Sequence, residues 1–239
     1  YAQINADLDE ALALLDGLAR PAKSHLNTSV VKGLKARVAL TQQNWALAAQ
    51  MANEARQGYP LMSQTEYMAG FSDVDNPEWI WGFHHRDDHP TYFYSFYAYL
   101  GDFSSTNTRG NPKAIFSVLY DKISPTDVRK KLWDPTGTDA SFPLTAGGTR
   151  KPYMTRKFLL ANPGNSNGDL VMMRSSEMYL IEAEALARQA GREDDARAVL
   201  FELANKRDND YTLSTNTGQA LIDEILVQRR VELWAEGFR

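Results

Sequence analysis

The chain has 239 residues, 43% of them apolar and 23% charged, the balance of a globular protein large enough to bury a core without cross-links. A net charge of −4 argues against a nucleic-acid surface, and no polybasic run points to anionic lipid. The absence of cysteine excludes disulfides, thiolate metal sites and a cysteine nucleophile, and no apolar run approaches the roughly 18 residues of a membrane span.

Residues 1–60 are helical in pattern, 61–169 irregular, and 170–239 helical again. Ile4, Leu8, Ala11, Leu12 and Leu15 fall on one face at helical spacing, and Gly17 and Pro21 end that helix. A second helix starts near Asn27 or Thr28, both good caps, and carries Val30, Val31, Leu34, Val38 and Leu40. A third runs from Trp45 to Arg56 with Ala48, Ala49, Ala52 and Ala55 inward, and Gly58 and Pro60 close it. In the irregular part Trp79–Phe83 reads as a short strand with one face buried, Trp79 and Trp81 sharing it. The stretches 16–25, 134–149 and 161–169 read as loops. The last part predicts three helices. Arg174–Gln189 carries Met178, Ile181, Ala185 and Leu186, and Glu193–Lys206 carries Ala196, Val199, Leu200 and Leu203. Gln219–Glu236 carries Ile222, Leu226 and Leu233 with a second stripe of Val227, Val231 and Trp234, and Gly237 at its C-cap. Tyr1 opens inside a helical pattern and Arg239 has no closing signal, so both ends read as cuts, and a missing signal peptide says nothing about the full-length protein.

Two helix pairs are alike. Trp45 is followed by Ala48, Ala52, Ala55 and Pro60, and Gly191 by Ala196, Leu200 and Leu203. A small residue at the first inward position of the second helix lets the pair approach closely, which is the tetratricopeptide spacing. The pairs lie far apart in sequence, so the expected fold is all-α, a broken tetratricopeptide-like scaffold of helical hairpins with a long loop-rich insert at 61–169. Ala48 and Ala196 are expected to be fully buried.

That layout resembles the SusD/RagB family, and two segments carry the resemblance. "RSSEMYLIEAEALARQAG", Arg174 to Gly191, is similar to the family's segment of Arg, x, x, Glu, x, Tyr, Leu, x, x, Ala-Glu-Ala. "ILVQRRVELWAEGFR", Ile225 to Arg239, is similar to its closing signature of Arg-Arg, x, Glu-Leu, two residues, Glu-Gly, x, Arg. Gln228 stands where a Glu is usual and Ala235 where an aromatic is usual. The opening "YAQINADLDEALALL" and the "DVRKKLWD" at Asp127–Asp134 resemble further family elements, so the likeness covers most of 1–60 and 115–239. It implies a non-enzymatic protein with no cofactor, lipid-anchored in full length at the bacterial outer-membrane surface. There it captures glycan, or in some members peptide, for a SusC-like TonB-dependent transporter. Two alternatives stay open: a repeat-type scaffold for a protein or peptide, and a glycoside hydrolase with its acid and base in the insert.

Ten of the chain's 26 aromatic residues lie between Trp79 and Phe103. Sugars present flat C–H faces that stack on rings while hydroxyls, amides and guanidinium groups hold their oxygens. Tyr92, Tyr94, Tyr97 and Tyr99 are therefore the leading ligand-binding candidates, with His84, Arg86, Asn107 and Arg109 as polar partners. The competing reading is that these rings pack the insert onto the helices. His84–His89, "HHRDDH", lacks the i, i+4 pairing of helical zinc motifs and reads as a polar loop, so no metal is expected. Asp73–Asn76, "DVDN", lacks the glycine and distal Glu of an EF-hand loop and reads as an Asx turn before Pro77. Glu177, Glu182, Glu184, Glu232 and Glu236 read as partners for arginines between packed helices, not as a catalytic pair. Arg229 or Arg230 is expected to contact Glu232, Glu236 or a Glu of the 174–189 helix.

Overall fold

A computed structural model describes residues 1–86, 95–101, 110–142, 147–161 and 166–238. Helix α1 spans Ala2–Leu15, α2 Thr28–Thr41 and α3 Trp45–Ala55. The side chains of Asn27 and Asn44 cap α2 and α3, accepting from Val30 N (3.1 Å) and Leu47 N (3.3 Å). The face that α2 buries carries Val30, Val31, Gly33, Ala36 and Ala39, against Ala48, Ala49, Ala52 and Ala55 of α3. Leu34 and Val38, expected inside, are only partly buried, because small side chains let the two backbones come close. Helix α1 packs on α2 but fully buries nothing, and Leu8, Ala11, Leu12 and Leu15 are half-buried.

The insert holds short elements: α4 (Gln64–Met68), β1 (Trp79–Phe83), α5 (Phe96–Leu100), α6 (Ser117–Tyr120), a 3-10 turn (Val128–Leu132), β2 (Trp133–Asp134), β3 (Met154–Thr155) and β4 (Leu170–Arg174). Strand β1 pairs antiparallel with β4, and β2 with β3. The β1–β4 pair closes the neck of the insert and delivers the chain into α7 (Ser175–Ala187), which packs against α3. Helices α8 (Glu193–Arg207) and α9 (Gly218–Glu232) follow, both against α7. The fold is mostly helical, and the helical hairpins α2–α3 and α7–α8 join through the α3–α7 contact despite the insert between them. Ala48 and Ala196 are fully buried, as the repeat spacing requires. The strand departs from simple alternation. Register irregularities on either side of Trp81 put Trp79 and Ile80 both inside and leave Trp81 half-buried. No helix among the described residues is long and apolar enough to cross a membrane.

Among the described residues two large apolar clusters form most of the interior, with a small third at Phe142 and Met154. Of the large two, one lies among the helical hairpins and the other within the insert, around Tyr67, Phe71, Trp79, Tyr97, Trp133 and Phe158. Buried charge sits where the segments meet. Glu232 contacts three guanidinium groups: Arg174 Nη1 at 2.7 Å, Arg207 Nη2 at 3.0 Å and Arg129 Nη1 at 3.0 Å. Arg174 and Arg207 also grip the two oxygens of Glu78, at 2.7 and 2.8 Å. Asp127 binds Arg129 through both oxygens, and Glu236 binds Arg174 and Lys157. Four carboxylates thus face four cations, and each of the eight side chains is at most 5% exposed. Burial opposes the ionisation of Glu232, but Arg207, Arg174 and Arg129 outweigh it and hold the carboxyl well below its ordinary range. Glu78 and Glu236 are likewise lowered against the same burial cost, Glu78 by Arg207 and Arg174, Glu236 by Arg174 and Lys157.

The network also ends α9 a turn earlier than the sequence pattern suggests. Lys157 Nζ donates to the carbonyls of Glu232 (2.8 Å) and Trp234 (2.9 Å), and Arg174 Nη2 to that of Glu232 (2.7 Å). Cations thereby satisfy carbonyls at the helix end, and Leu233 caps it instead of Gly237. The buried face of α9 is Leu221, Ile225, Arg229, Val231 and Glu232; of the expected stripes Val231 is buried, as is Leu233 at the cap, whereas Ile222 and Leu226 are only half-buried.

Two outcomes follow for stability. Ala196→Leu should overpack the α7–α8 contact and cost about 1–3 kcal/mol in a urea titration, and an unchanged midpoint would remove the close-approach argument. Glu232, Glu78 and Glu236 have folded pKa values below the ordinary 4.5, so the folded state binds fewer protons than the unfolded state in that range. Their contribution is fully present above about pH 4.5 and is lost as pH falls below it. Thermal melts should therefore decline steeply from pH 5 to pH 3, and a flat profile across that interval would contradict it.

Candidate functional site

A surface cleft of about 360 Å³ opens beyond β1, lined by Ser72, Asp73, His84, His85, Gly168 and Asp169 together with Ala161. Asp169, the residue before β4, holds it together. Its Oδ2 accepts from Val74 N at 2.9 Å and its Oδ1 from His85 N at 2.7 Å, while His84 Nδ1 lies 3.1 Å from the same Oδ1. Its backbone N–H donates to the Ser72 carbonyl at 3.0 Å. One carboxylate thus fixes both the turn before β1 and the segment after it. The turn is the Asx turn read from the sequence: Asp73 Oδ1 accepts from Asp75 N (2.8 Å) and Asn76 Oδ1 from Glu78 N (3.0 Å). No group of three potential metal ligands occurs among the described residues.

Helix α5 is tied to the same segment. Ser95 Oγ donates to the Ser166 carbonyl at 3.0 Å. The Tyr97 hydroxyl lies against the carbonyls of Phe71 and Asp169, the latter at 2.9 Å, with one proton to share between them. A Cβ on Gly168 would come within 2.6 Å of the Tyr97 ring, so glycine is required for this approach.

The eight candidate residues separate. Tyr97 is 1% exposed, and burial pushes its phenol well above the ordinary value. Its ring packs edge-to-face on Phe96, and it belongs to the core, which corrects its assignment as a stacking surface. Tyr99, two residues on and so on the other side of α5, is 48% exposed. His84 and Arg86 are exposed on the segment leaving β1. Tyr92, Tyr94, Asn107 and Arg109 lie outside the described residues. Sequence reading missed Asp169, His85 and Asn167. His85 Nε2 and both amide atoms of Asn167 are buried without a hydrogen-bond partner among the described residues.

The family model described as the SusD family matches residues 40–239. The chain belongs to the SusD family. A SusD-like carbohydrate binding protein from Bacteroides vulgatus is 32% identical, with a TM-score of 0.79 over 98% of this chain and 48% of its own. A laminarin binding SusD-like protein is 20% identical, with a TM-score of 0.67 over 99% of this chain and 58% of its own. Surface glycan-binding protein A from Bacteroides thetaiotaomicron, solved in complex with laminarihexaose, is 18% identical, with a TM-score of 0.70 over 97% and 58%. The chain therefore spans about half the length of the first of these solved relatives. No curated protein matches it by sequence.

In this SusD-family chain, Asp169→Ala removes the acceptor shared by Val74 and His85. The loss should cost about 1–3 kcal/mol and raise hydrogen exchange at those two amides first. Unaltered protection at both would show that the cleft is held by something else.

Proposed function

We propose that the chain is part of a surface glycan-binding protein of the bacterial outer membrane. The full-length protein is lipid-anchored and passes captured saccharide to a TonB-dependent transporter. The observation that carries this reading is the 32% identical relative, described as a carbohydrate binding protein and matching along 98% of the chain. The cleft beside His84 and Asp169 is the described part of the proposed binding surface, and Tyr99, exposed on α5, and Arg86, exposed on the segment leaving β1, belong to the proposed set without lining that cleft. Tyr92, Tyr94, Asn107 and Arg109 complete the proposed set. Rings and polar groups of this kind bind a saccharide by stacking and hydrogen bonding, without chemistry.

Among the described residues, the buried carboxylates favour capture over hydrolysis. A glycosidase needs one protonated acid and one free carboxylate flanking a sugar. Glu232, Glu236 and Glu78 are each committed to buried cations. Glu177, which burial pushes upward, is gripped at both oxygens by Arg37 at 2.6 and 2.7 Å. Asp169 already accepts two backbone N–H groups.

A glycan array on the full-length protein, followed by titration calorimetry with the strongest hit, tests the reading. Tyr99→Ala should weaken binding by roughly 1–3 kcal/mol, by analogy with base stacking on aromatic side chains, with the melt unchanged. An array without any saccharide hit would sink the proposal. Normal binding by Tyr99→Ala would remove that ring from the site.

A further inference from the structure

The second stripe of α9 faces a cleft that the proposed binding surface does not use. Glu224, Val227, Gln228 and Val231 recur at i, i+3, i+4 and i+7, so they share one side of the helix, and all four line the cleft. The segment Lys122–Ser124, after α6, lines it too, and Asp208 and Tyr211, at and beyond the end of α8, complete the wall. Its volume is about 370 Å³, within the range of small-molecule sites, and it shares no lining residue with the cleft at His84.

Bonds to protein hold its polar groups in place. Glu224 Oε1 accepts from the Tyr211 hydroxyl at 2.6 Å, and Oε2 from Ser214 Oγ (2.5 Å) and Asn216 Nδ2 (2.8 Å). Burial and then Glu224 push the Tyr211 phenol up, so this hydroxyl keeps its proton and donates it to the carboxylate. The phenol oxygen remains an acceptor. Gln228 Oε1 accepts from Arg129 Nη2 at 2.6 Å. The guanidinium thereby fixes which way the amide points, and Gln228 Nε2 has no acceptor among the described residues. Lys122 and Ser124 are exposed, and Tyr211, Glu224 and Gln228 are half-buried, so none of the five is sealed from solvent. The apolar part of the lining is aliphatic: Ile123, Val227 and Val231.

This lining discriminates among ligands. An anion would meet the carboxylates of Glu224 and Asp208, whose hydrogen-bond donors are all uncharged. An ammonium group cannot accept from Gln228 Nε2, and it would meet Lys122. An apolar ligand would take the amide and the carboxylate out of water without replacing their bonds. A hydroxyl both donates and accepts, so neighbouring hydroxyls can donate to Glu224 and accept from Gln228 at once.

We infer that this cleft is a second saccharide subsite, in which one neutral sugar residue lays a C–H face on Val227 and Val231 and sets its hydroxyls against Glu224 and Gln228. The inference rests on the glycan reading for the kind of ligand. It adds a sugar contact on the helical scaffold to those proposed on the insert. A glycan long enough to reach both would gain avidity without either contact being strong.

The test uses the full-length protein carrying isotopically labelled glutamine, with the methyl glycosides of glucose, galactose, mannose and xylose as probes. The side-chain NH2 signal that disappears in Gln228→Glu belongs to Gln228. In the unaltered protein at least one glycoside should move that signal saturably in the millimolar range. Val227→Phe, which fills the aliphatic surface, should weaken the response roughly tenfold or more, with the melt unchanged. A Gln228 signal that stays still with every glycoside would overturn the inference, while saccharide hits on the array would still support the glycan reading. An equal response to N-acetylalaninamide, which has amide groups but no sugar hydroxyls, would overturn it in favour of a peptide. A stronger response to methylammonium would overturn it in favour of a cation.

Discussion

The carboxylate of Glu232, enclosed by Arg129, Arg174 and Arg207, is the contact on which the rest of the structure depends. Each partner comes from a different segment: the 3-10 turn of the insert, the end of β4 and the end of α8. Glu78, at the entry to β1, is bound by two of the same arginines. Taking eight charged groups out of water is costly, and a buried ion pair is weak evidence for stability in itself. What the network supplies is a constraint. Omitting any one partner leaves an uncompensated buried charge, so the network ties the insert and the helices to one another. Arg174 and Arg207 further lie over the rings of Phe71 and Tyr67, which ties the ionic network to the insert's own apolar cluster.

That constraint explains how a loop-rich insert can position a surface cleft. Strand β4 leads into the network at Arg174, and Asp169 stands one residue before that strand begins. The β1–β4 pair then carries the rigidity outward to His84 and His85. Helix α5 joins the same segment through Ser95 and Tyr97. The inner end of the insert is therefore fixed by ion pairs, and its outer end presents exposed side chains to solvent. Scaffold and proposed binding surface are thus divided, an arrangement that suits loops carried on a rigid frame.

Much of the helical scaffold was legible in the sequence. The cap at Asn27, small residues at helical spacing, and Trp79–Phe83 as a strand all appear where local chemistry places them. The family signatures were legible as strings, but not their purpose. Arg174 in one and Glu232 and Glu236 in the other meet in space. Periodicity misread α9 because it treats charge as solvent-facing, whereas Arg229 and Glu232 lie on the buried face. Glu78, Arg207 and Lys157 gave no local sign at all, since their burial depends on partners 25 to 129 residues away. Asp169 closed a stretch of Asn, Gly and Ser that reads only as a loop, and Tyr97 was one of many rings whose orientation spacing alone does not decide.

The central claim is that Glu232 organises the interior through charge and not merely through shape. Equilibrium urea unfolding of Glu232→Gln, which keeps the shape and removes the charge, tests it most directly. Glu54→Gln, at the more exposed Lys32–Glu54 pair, serves as the control. Three buried guanidinium groups deprived of their shared carboxylate should cost about 3 kcal/mol or more, and the control about 0.5 kcal/mol or less. A Glu232→Gln variant no less stable than the Glu54→Gln control would contradict the account.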